Sequence, residues 1–322
     1  MQKRTILITG GAGFIGSHLV KYMVDKYPTY DIHVIDSMTY AGNLKNLGEY
    51  IKKINFHRID ISHKKFVNSI FELYNYDGVI NVAAETHVDN SIEEPDVFIQ
   101  TNIVGTQTLI NASLEYGVNK FVQVSTDEVY GSLDFDDGRN FYEFTPFSPT
   151  SPYSASKASA DFLVLAAYRT HNLPVCITHC SNNYGPKQHR EKLIPKVIEN
   201  LKNNNQIPLY GDGSNIRDWV HVTDHVKAID KVFHSGKSGE RYNVGGENEM
   251  SNLDLVKKIC QTYDNLKELD PGTSSRLISF VNDRLGHDLR YSVNFDKIYT
   301  KLRWKPEVDF NLGIVETVKS YL

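Results

Sequence analysis

Short apolar runs alternate with longer amphipathic ones along the first half of this chain. Thr5-Ile6-Leu7-Ile8-Thr9 is stopped by glycines and followed by helical periodicity over residues 15–23. Residues 33–36 predict a second strand, 54–59 a third, and 79–83 and 121–125 two more, with a helical pattern over 96–116. Strands that are apolar almost throughout are buried on both faces, so the pattern predicts an α/β protein. Its sheet is parallel and doubly wound, with right-handed crossovers. Residues 131–152, rich in Asp, Gly, Phe, Ser and Pro, break the rhythm. Compact domains keep so long a loop for function. A helix is predicted over about 152–168. After Pro174 the alternation loosens: Gly211-Asp212-Gly213 and Gly245-Gly246 mark turns, residues 271–275 read as a linker, and Asn203-Asn204-Asn205 as a helix end or surface turn. The predicted division is a sheet lobe over 1–180, to which the chain returns around 218–246, and a smaller mixed α/β substrate lobe over 181–322.

Composition narrows the class. At 322 residues and 40% hydrophobic, the chain can bury a large core without disulfide or metal staples. Cys176, Cys180 and Cys260 form no CxxC pair and leave an odd one, which speaks for a reducing compartment and against a thiolate zinc site. Cys176 and Cys180, on an apolar strand, read as core thiols, and Trp219 and Trp304 as packing residues. A net charge of −4 without basic blocks excludes a nucleic-acid or anionic-membrane footprint. The run Ile6-Leu7-Ile8 is too short for a signal sequence, and no stretch reaches the roughly 18 apolar residues of a membrane span. A cytoplasmic protein is expected, with no metal site.

Gly10-Gly11-Ala12-Gly13-Phe14-Ile15-Gly16 follows the first strand and opens the first helix. Glycines there allow a tight turn, close approach to a pyrophosphate and close helix–sheet packing, and the helix N-terminus offers free N–H groups. Asp36 ends the second strand 20 residues after Gly16. Its carboxylate can accept both ribose hydroxyls of NAD and would repel a 2′-phosphate. A Rossmann dinucleotide site for NAD follows. The three-residue spacing of Gly10, Gly13 and Gly16 resembles the short-chain dehydrogenase/reductase superfamily, in its extended sugar-nucleotide branch. That resemblance implies that Asp60, Ile61, Ala83 and Ala84 face adenine and the nearer ribose.

Tyr153 and Lys157 stand four apart on a predicted helix and so share a face. A tyrosine is a poor base at neutral pH. The Lys157 cation and a nicotinamide charge would favour its phenolate. Thr126, at the end of the preceding strand, can share a sugar hydroxyl's proton with Tyr153. Asp127 and Glu128 discriminate between chemistries. Hydride transfer needs no extra carboxyl, whereas eliminating water beside a new ketone needs a base and an acid. Two adjacent carboxyls could supply both if their environments separate their acidities.

Ser125-Thr126-Asp127-Glu128-Val129-Tyr130-Gly131 resembles the signature of the nucleotide-sugar 4,6-dehydratases, the dTDP-glucose 4,6-dehydratase family. So do Thr39-Tyr40-Ala41-Gly42-Asn43-Leu44, Ser151-Pro152-Tyr153-Ser154-Ala155-Ser156-Lys157, Cys180-Ser181-Asn182-Asn183-Tyr184-Gly185-Pro186, Glu191-Lys192-Leu193-Ile194-Pro195, Arg217-Asp218-Trp219 and Asp283-Arg284-Leu285-Gly286-His287-Asp288. The likeness runs from residue 5 to about Trp304. It implies that Tyr153 takes the O4 proton of a nucleotide-diphosphoglucose while NAD takes the C4 hydride. Glu128 then removes the C5 proton, Asp127 protonates the departing C6 hydroxyl, and the hydride returns to C6. The product is the 4-keto-6-deoxyglucose nucleotide, a precursor of deoxysugars such as rhamnose. The resemblance also assigns Ser37, Thr39, Thr101 and Asn183 to the cofactor. To the substrate it assigns Thr86, Asn182, Lys192, Leu193, Pro208, Tyr210, Arg217, Asn252, Arg284 and His287. It implies a homodimer packed through helices over about 102–116 and 153–168.

Several positions depart from the common bacterial pattern. Thr86 and Asn90 stand where Ser and Arg are usual, and His179 where Arg is usual, while Lys187-Gln188-His189-Arg190 replaces a more aromatic stretch. Thr86, Asn90 and Lys196 look more like the UDP-glucose 4,6-dehydratases of plants and related eukaryotes and tilt the expectation slightly from dTDP-glucose to UDP-glucose. The rival activities are a nucleotide-sugar 4-epimerase or UDP-glucuronate decarboxylase, neither of which needs Asp127 with Glu128. A dinucleotide-sensing regulator on the same fold is the remaining alternative.

Overall fold

The computed structural model describes residues 3–322. The strands are β1 (Thr5–Thr9), β2 (Asp31–Asp36), β3 (Asn55–Arg58), β4 (Gly78–Asn81), β5 (Lys120–Thr126) and β6 (Val175–Cys180), then β7 (Asn182–Tyr184), β8 (Ile207–Tyr210), β9 (Ile216–His221), β10 (Glu240–Val244), β11 (Glu249–Ser251) and β12 (Ile278–Val281). Among the described residues, seven strands form one sheet in the order β10-β6-β5-β4-β1-β2-β3. All its neighbours are parallel. Successive residues of each strand feed opposite cores: Ile6 and Ile8 pack on one face and Leu7 on the other, as do Val34 against Ile35 and Ile80 against Val79. The strand order reverses between β1 and β4, and ligands of such sheets sit at that switch point, beyond the strand C-termini.

The helices Phe14–Lys26 and Val222–Ser235 cover the first face, and Lys64–Tyr74, Thr106–Glu115 and Pro152–His171 the second. The Lys64–Tyr74 helix was not among the sequence expectations. The helical pattern over 96–116 is realised as three pieces, because residues Ile99–Gly105 widen into a π-helical segment. Such bulges collect at functional sites. Here Asn102 explains it: its amide brackets the Glu85 backbone, accepting from Glu85 N at 2.9 Å and donating to Glu85 O at 3.0 Å, and reaches Ser156 Oγ at 2.9 Å. The bulge therefore ties the end of β4 to the Pro152–His171 helix.

β10 rejoins the large sheet beside β6, while β7 and β11 flank β9 in a second sheet, and β12 pairs with β8 in a third. A separate core gathers the helices Leu193–Lys202, Asn252–Leu266 and Phe310–Tyr321 around Trp219 and Leu255. The long loop after β5 is pinned rather than free: Leu133 bridges Arg290, Phe141 bridges Val293, and Tyr130, Phe141 and Tyr291 share a small core. Residues 271–275 do not behave as a linker. Asp264 accepts from Gly272 N and Ser274 N at 3.1 Å each and draws the segment onto the preceding helix.

Candidate active site

A cleft of about 330 Å³ opens at the switch point, between the C-terminal ends of the parallel strands and the second lobe. Its floor is the glycine loop. Gly10 has φ +65°, and a Cβ on it would stand 2.8 Å from the Ala83 backbone; one on Gly16 would stand 2.1 Å from the Gly10 carbonyl oxygen. Only glycine allows β1, the loop and the helix to meet this closely. The Phe14–Lys26 helix begins with no side-chain cap and no acidic residue in its first turn. Its first N–H groups lack intrahelical partners, an arrangement suited to a pyrophosphate. Asp36 is buried at the end of β2 and accepts from Ala12 N at 2.9 Å and Met38 N at 2.8 Å, one bond on each oxygen. A lone pair on each remains for a ribose hydroxyl. Phe14, Ile15, Ser37, Thr39, Asp60, Ile61, Ala83, Ala84 and Thr101 line the same cleft. These residues fit NAD.

At the far end β5 delivers Thr126, and the 3₁₀ turn Asp127–Tyr130 carries the two carboxyls. The Pro152–His171 helix starts with a capping box of Ser151 and Ser154 and has Pro152 in its first turn, so its register is fixed at the end that bears Tyr153. Lys157 is buried and donates to Val124 O at 2.8 Å. Burial pulls its ammonium down to about 8, opposed by Asp161. Burial pushes the Tyr153 phenol well up, Glu128 adds to this, and the bond to Thr126 opposes it. Without an added positive charge Tyr153 is thus a neutral phenol.

Asp127 is buried, and its carboxyl rises well above the usual range through burial, then through Glu128 and Asp218. Its Oδ2 has no partner among the described residues. Burial also raises Glu128, but Arg284, Lys192 and Arg217 act against it. Both carboxyls are held above the usual range, Asp127 the more strongly; three cations oppose the rise at Glu128, whereas Arg217 is the one cation that opposes it at Asp127.

On the substrate side, Thr86, Asn182, Asn183, Lys192 and Leu193 line the cleft. Lys192 Nζ donates to Thr86 O at 2.7 Å. Pro208, Tyr210, Arg217, Asn252, Arg284 and His287 stand outside its lining. Tyr210 and Arg284 converge on Asp89, at 3.2 and 3.4 Å, and His287 pairs with Asp283 at 2.6 Å. Arg217 donates to the carbonyls of Ile216 and Asp288 and lies over the Tyr291 ring. Asn252 opens the Asn252–Leu266 helix, its N–H on Asn215 O at 2.9 Å.

The cleft also holds Glu85, Gln188, His189, Glu191 and His225, which motif reading did not assign, and Trp219, which is more than a packing residue. Gln188, His189 and Glu191 lay in stretches already read, and Glu85 directly precedes Thr86; His225 carried no sequence signal. His221 and His225 stand at a ligand-like four-residue spacing, but His225 Nδ1 bonds Asn183 Oδ1 at 2.8 Å. Among the described residues no group of three or more His, Cys, Asp or Glu is arranged to hold a metal.

Fold and cleft define an NAD-dependent enzyme of the extended short-chain dehydrogenase/reductase type. The chain belongs to the GDP-mannose 4,6 dehydratase family, whose profile matches residues 7–317. It is 47% identical to a probable dTDP-glucose 4,6-dehydratase of Sinorhizobium fredii over 98% of this chain and 92% of that one. The dTDP-glucose 4,6-dehydratase DesIV of Streptomyces venezuelae, solved with NAD bound, superposes with a TM-score of 0.91 at 43% identity, covering 98% of this chain and 96% of that one. A UDP-glucose 4-epimerase of Thermotoga maritima shares the fold, with a TM-score of 0.88 over 98% of each chain, at only 28% identity.

Proposed function

We propose that this protein converts dTDP-glucose to dTDP-4-keto-6-deoxyglucose and water. The carrying observation is the pair Asp127–Glu128 at the end of β5, beside Thr126 and the Tyr153–Lys157 helix. NAD, when bound, supplies the acceptor and later the donor of the hydride. Tyr153, helped by Thr126, holds and moves the O4 proton, and Lys157 holds the nicotinamide ribose and favours the phenolate. Glu128 takes the C5 proton, Asp127, whose carboxyl burial holds well above the usual range, delivers one to the departing C6 hydroxyl, and Glu128 returns its proton to C5 as the hydride reaches C6. Asn182, Lys192, Arg217, Asn252, Arg284 and His287 hold the nucleotide diphosphate, with Pro208 and Tyr210 bordering the base. Residues 1–180, with the chain returning around 218–246, act as the cofactor lobe and the rest of 181–322 as the substrate lobe.

The base is the finer point. Thr86, Asn90 and Lys196 favour uracil, but the names borne by relatives at 43–47% identity favour thymine, and we adopt thymine. One methyl group in an apolar pocket discriminates by only about 1–3 kcal/mol. A kcat/KM for UDP-glucose about tenfold above that for dTDP-glucose, ~1.4 kcal/mol, would reverse the choice. A proton spectrum of the product in deuterium oxide tests the reaction itself. A C6 methyl with deuterium at C5 is expected; a C4 epimer still hydroxylated at C6 would favour the epimerase. A homodimer is supported by the exposed apolar side chains Ile99, Val104 and Phe162 on the two helical segments concerned. Light scattering that finds one 36.6 kDa species would oppose it. Three free, buried cysteines support a reducing, cytoplasmic setting.

A further inference from the structure

Behind the reactive helix lies a closed chain of hydrogen bonds whose protons can be counted. Asn243 Nδ2 donates to Phe141 O at 3.0 Å, which leaves Asn243 Oδ1 as an acceptor. The Tyr130 hydroxyl stands 2.8 Å from that oxygen and must donate to it. Having spent its only proton, the Tyr130 oxygen can contact His179 Nδ1 at 2.9 Å only by accepting, so Nδ1 carries a hydrogen. The other ring nitrogen, Nε2, lies 3.0 Å from Asp161 Oδ2. That oxygen also accepts from Ser125 Oγ at 2.7 Å, as a carboxylate does. With Asp161 ionised, Nε2 carries the second hydrogen and His179 is an imidazolium; Asp161 Oδ1 has no partner among the described residues. Both partners are fully buried.

Asp161 lies on the helix that bears Tyr153 and Lys157, at successive four-residue steps, so it stands behind the reactive pair. It is the charged group that acts on Lys157, and it acts on Tyr153 as well. An unpaired carboxylate there would favour the Lys157 cation but act directly against a phenolate on Tyr153. We propose that His179 is a positioning residue: its imidazolium cancels the Asp161 charge and so favours the phenolate of Tyr153 from the back of the sheet. The groups facing the pair are Ser125 and Tyr130, with Arg241 and Glu143 beyond Tyr130. Those facing Tyr153 are Glu128, Thr126 and Asp127, with Lys157 one helical turn on. His179 is the cation that touches Asp161 directly. The inference rests on the reading of Tyr153 as the proton acceptor at O4.

His179→Gln keeps an amide N–H for Asp161 and removes the charge. Asp161→Asn/His179→Gln removes both charges. Each is prepared with NAD bound, alone and with Tyr153→Phe, and the tyrosinate absorbance lost with Tyr153→Phe is titrated. The midpoint is expected to rise by about one unit in His179→Gln, roughly tenfold less phenolate at neutral pH, and to return toward the parent value in the double variant. The pH profile of C4 oxidation in single turnover should move with it. A merely structural His179 predicts a double variant at least as impaired as the single one, with no return of the midpoint. That result, or an unmoved midpoint in His179→Gln, overturns the proposal. Failure of the parent protein to make a 4-keto-6-deoxy sugar would instead remove the dehydratase reading, while the titration still decides the role of His179.

Discussion

Asp127 and Glu128 are neighbours in the chain but not in environment. The turn that follows β5 drops Asp127 into the protein, where Oδ2 finds no partner among the described residues, and leaves Glu128 partly open toward the cleft, under the influence of Arg284, Lys192 and Arg217. A single 3₁₀ turn thereby gives the proposed acid and the proposed base different surroundings. Neither side chain could be exchanged for the other without reversing both surroundings.

Substitutions at the two positions should stall the reaction at different points. Tyr153→Phe should abolish NADH formation on mixing with substrate. Glu128→Gln leaves oxidation possible but removes the C5 base, so NADH absorbance should accumulate while C5 takes up no solvent deuterium. Asp127→Asn should also accumulate NADH yet still exchange the C5 proton. Loss of one such acid or base costs about 10²–10⁴-fold, which single-turnover absorbance resolves. Parent-rate product formation by Glu128→Gln would refute the assignment.

The same separation gives a sign to the pH dependence of elimination. Glu128 works ionised, so the rate should fall as pH drops through its raised value. Asp127 works protonated, so the rate should fall again as pH rises through its own, more strongly raised value. The result is a bell whose limbs belong to the coupled pair. In Asp127→Asn the residual NADH decay should keep the acid limb and lose the alkaline one. A retained alkaline limb would show that another group is the acid.

Much of this was legible in the sequence, and the exceptions have causes. β1 falls at residues 5–9 as predicted, because the apolar run ends in glycines that the cofactor loop requires. The Lys64–Tyr74 helix was legible but passed over: Val67, Ile70 and Phe71 fall on one face at helical spacing and are buried, while Phe66 and Leu73 are more than half exposed. The π-helical segment depends on Asn102 meeting Glu85 and Ser156, a tertiary match that no local pattern announces. The residues proposed to react were singled out because the chemistry demands particular types at fixed offsets along one turn or helix, and the structure places Thr126, Asp127, Glu128, Tyr153 and Lys157 along one cleft. Arg217 and Arg284 were readable as cations but not as occupied ones; their partners Asp288 and Asp89 come from distant segments.

Cofactor choice should rest on Asp36. Its two backbone bonds fix the carboxylate in the cleft, and in the role we propose for it beside the ribose it would repel a 2′-phosphate. Nucleotide released from denatured protein should be NAD(H), and mainly NADP(H) would overturn the assignment. Asp36→Ala should weaken NAD retention by about 1.5–3 kcal/mol, roughly 10- to 100-fold, as expected for losing hydrogen bonds to a charged group. Equilibrium dialysis of both nucleotides against the variant measures it.

Stability away from the cleft offers a test independent of catalysis. Asp230, nearly fully buried on the Val222–Ser235 helix, accepts from Lys26 at 2.6 Å and Tyr27 at 2.8 Å, joining that helix to Phe14–Lys26. His234 stands 2.9 Å from it. Burial alone would raise the Asp230 carboxyl, but His234, Lys26 and Tyr27 outweigh it and hold the group below the usual range. Because the folded value is depressed, the contribution to stability is present above the unfolded carboxylate value, near pH 4, and is lost as pH falls through the folded one. Asp230→Ala should cost about 1–3 kcal/mol at neutral pH, since Lys26 can return to water but Tyr27 loses a buried acceptor. Thermal unfolding should show the variant several degrees below the parent at pH 7, with the gap closing toward the acid side. NAD content and turnover of the folded variant should stay at the parent level, because Asp230 does not line the cleft. A gap that does not change with pH would mean that packing, not the charge on Asp230, joins the two helices.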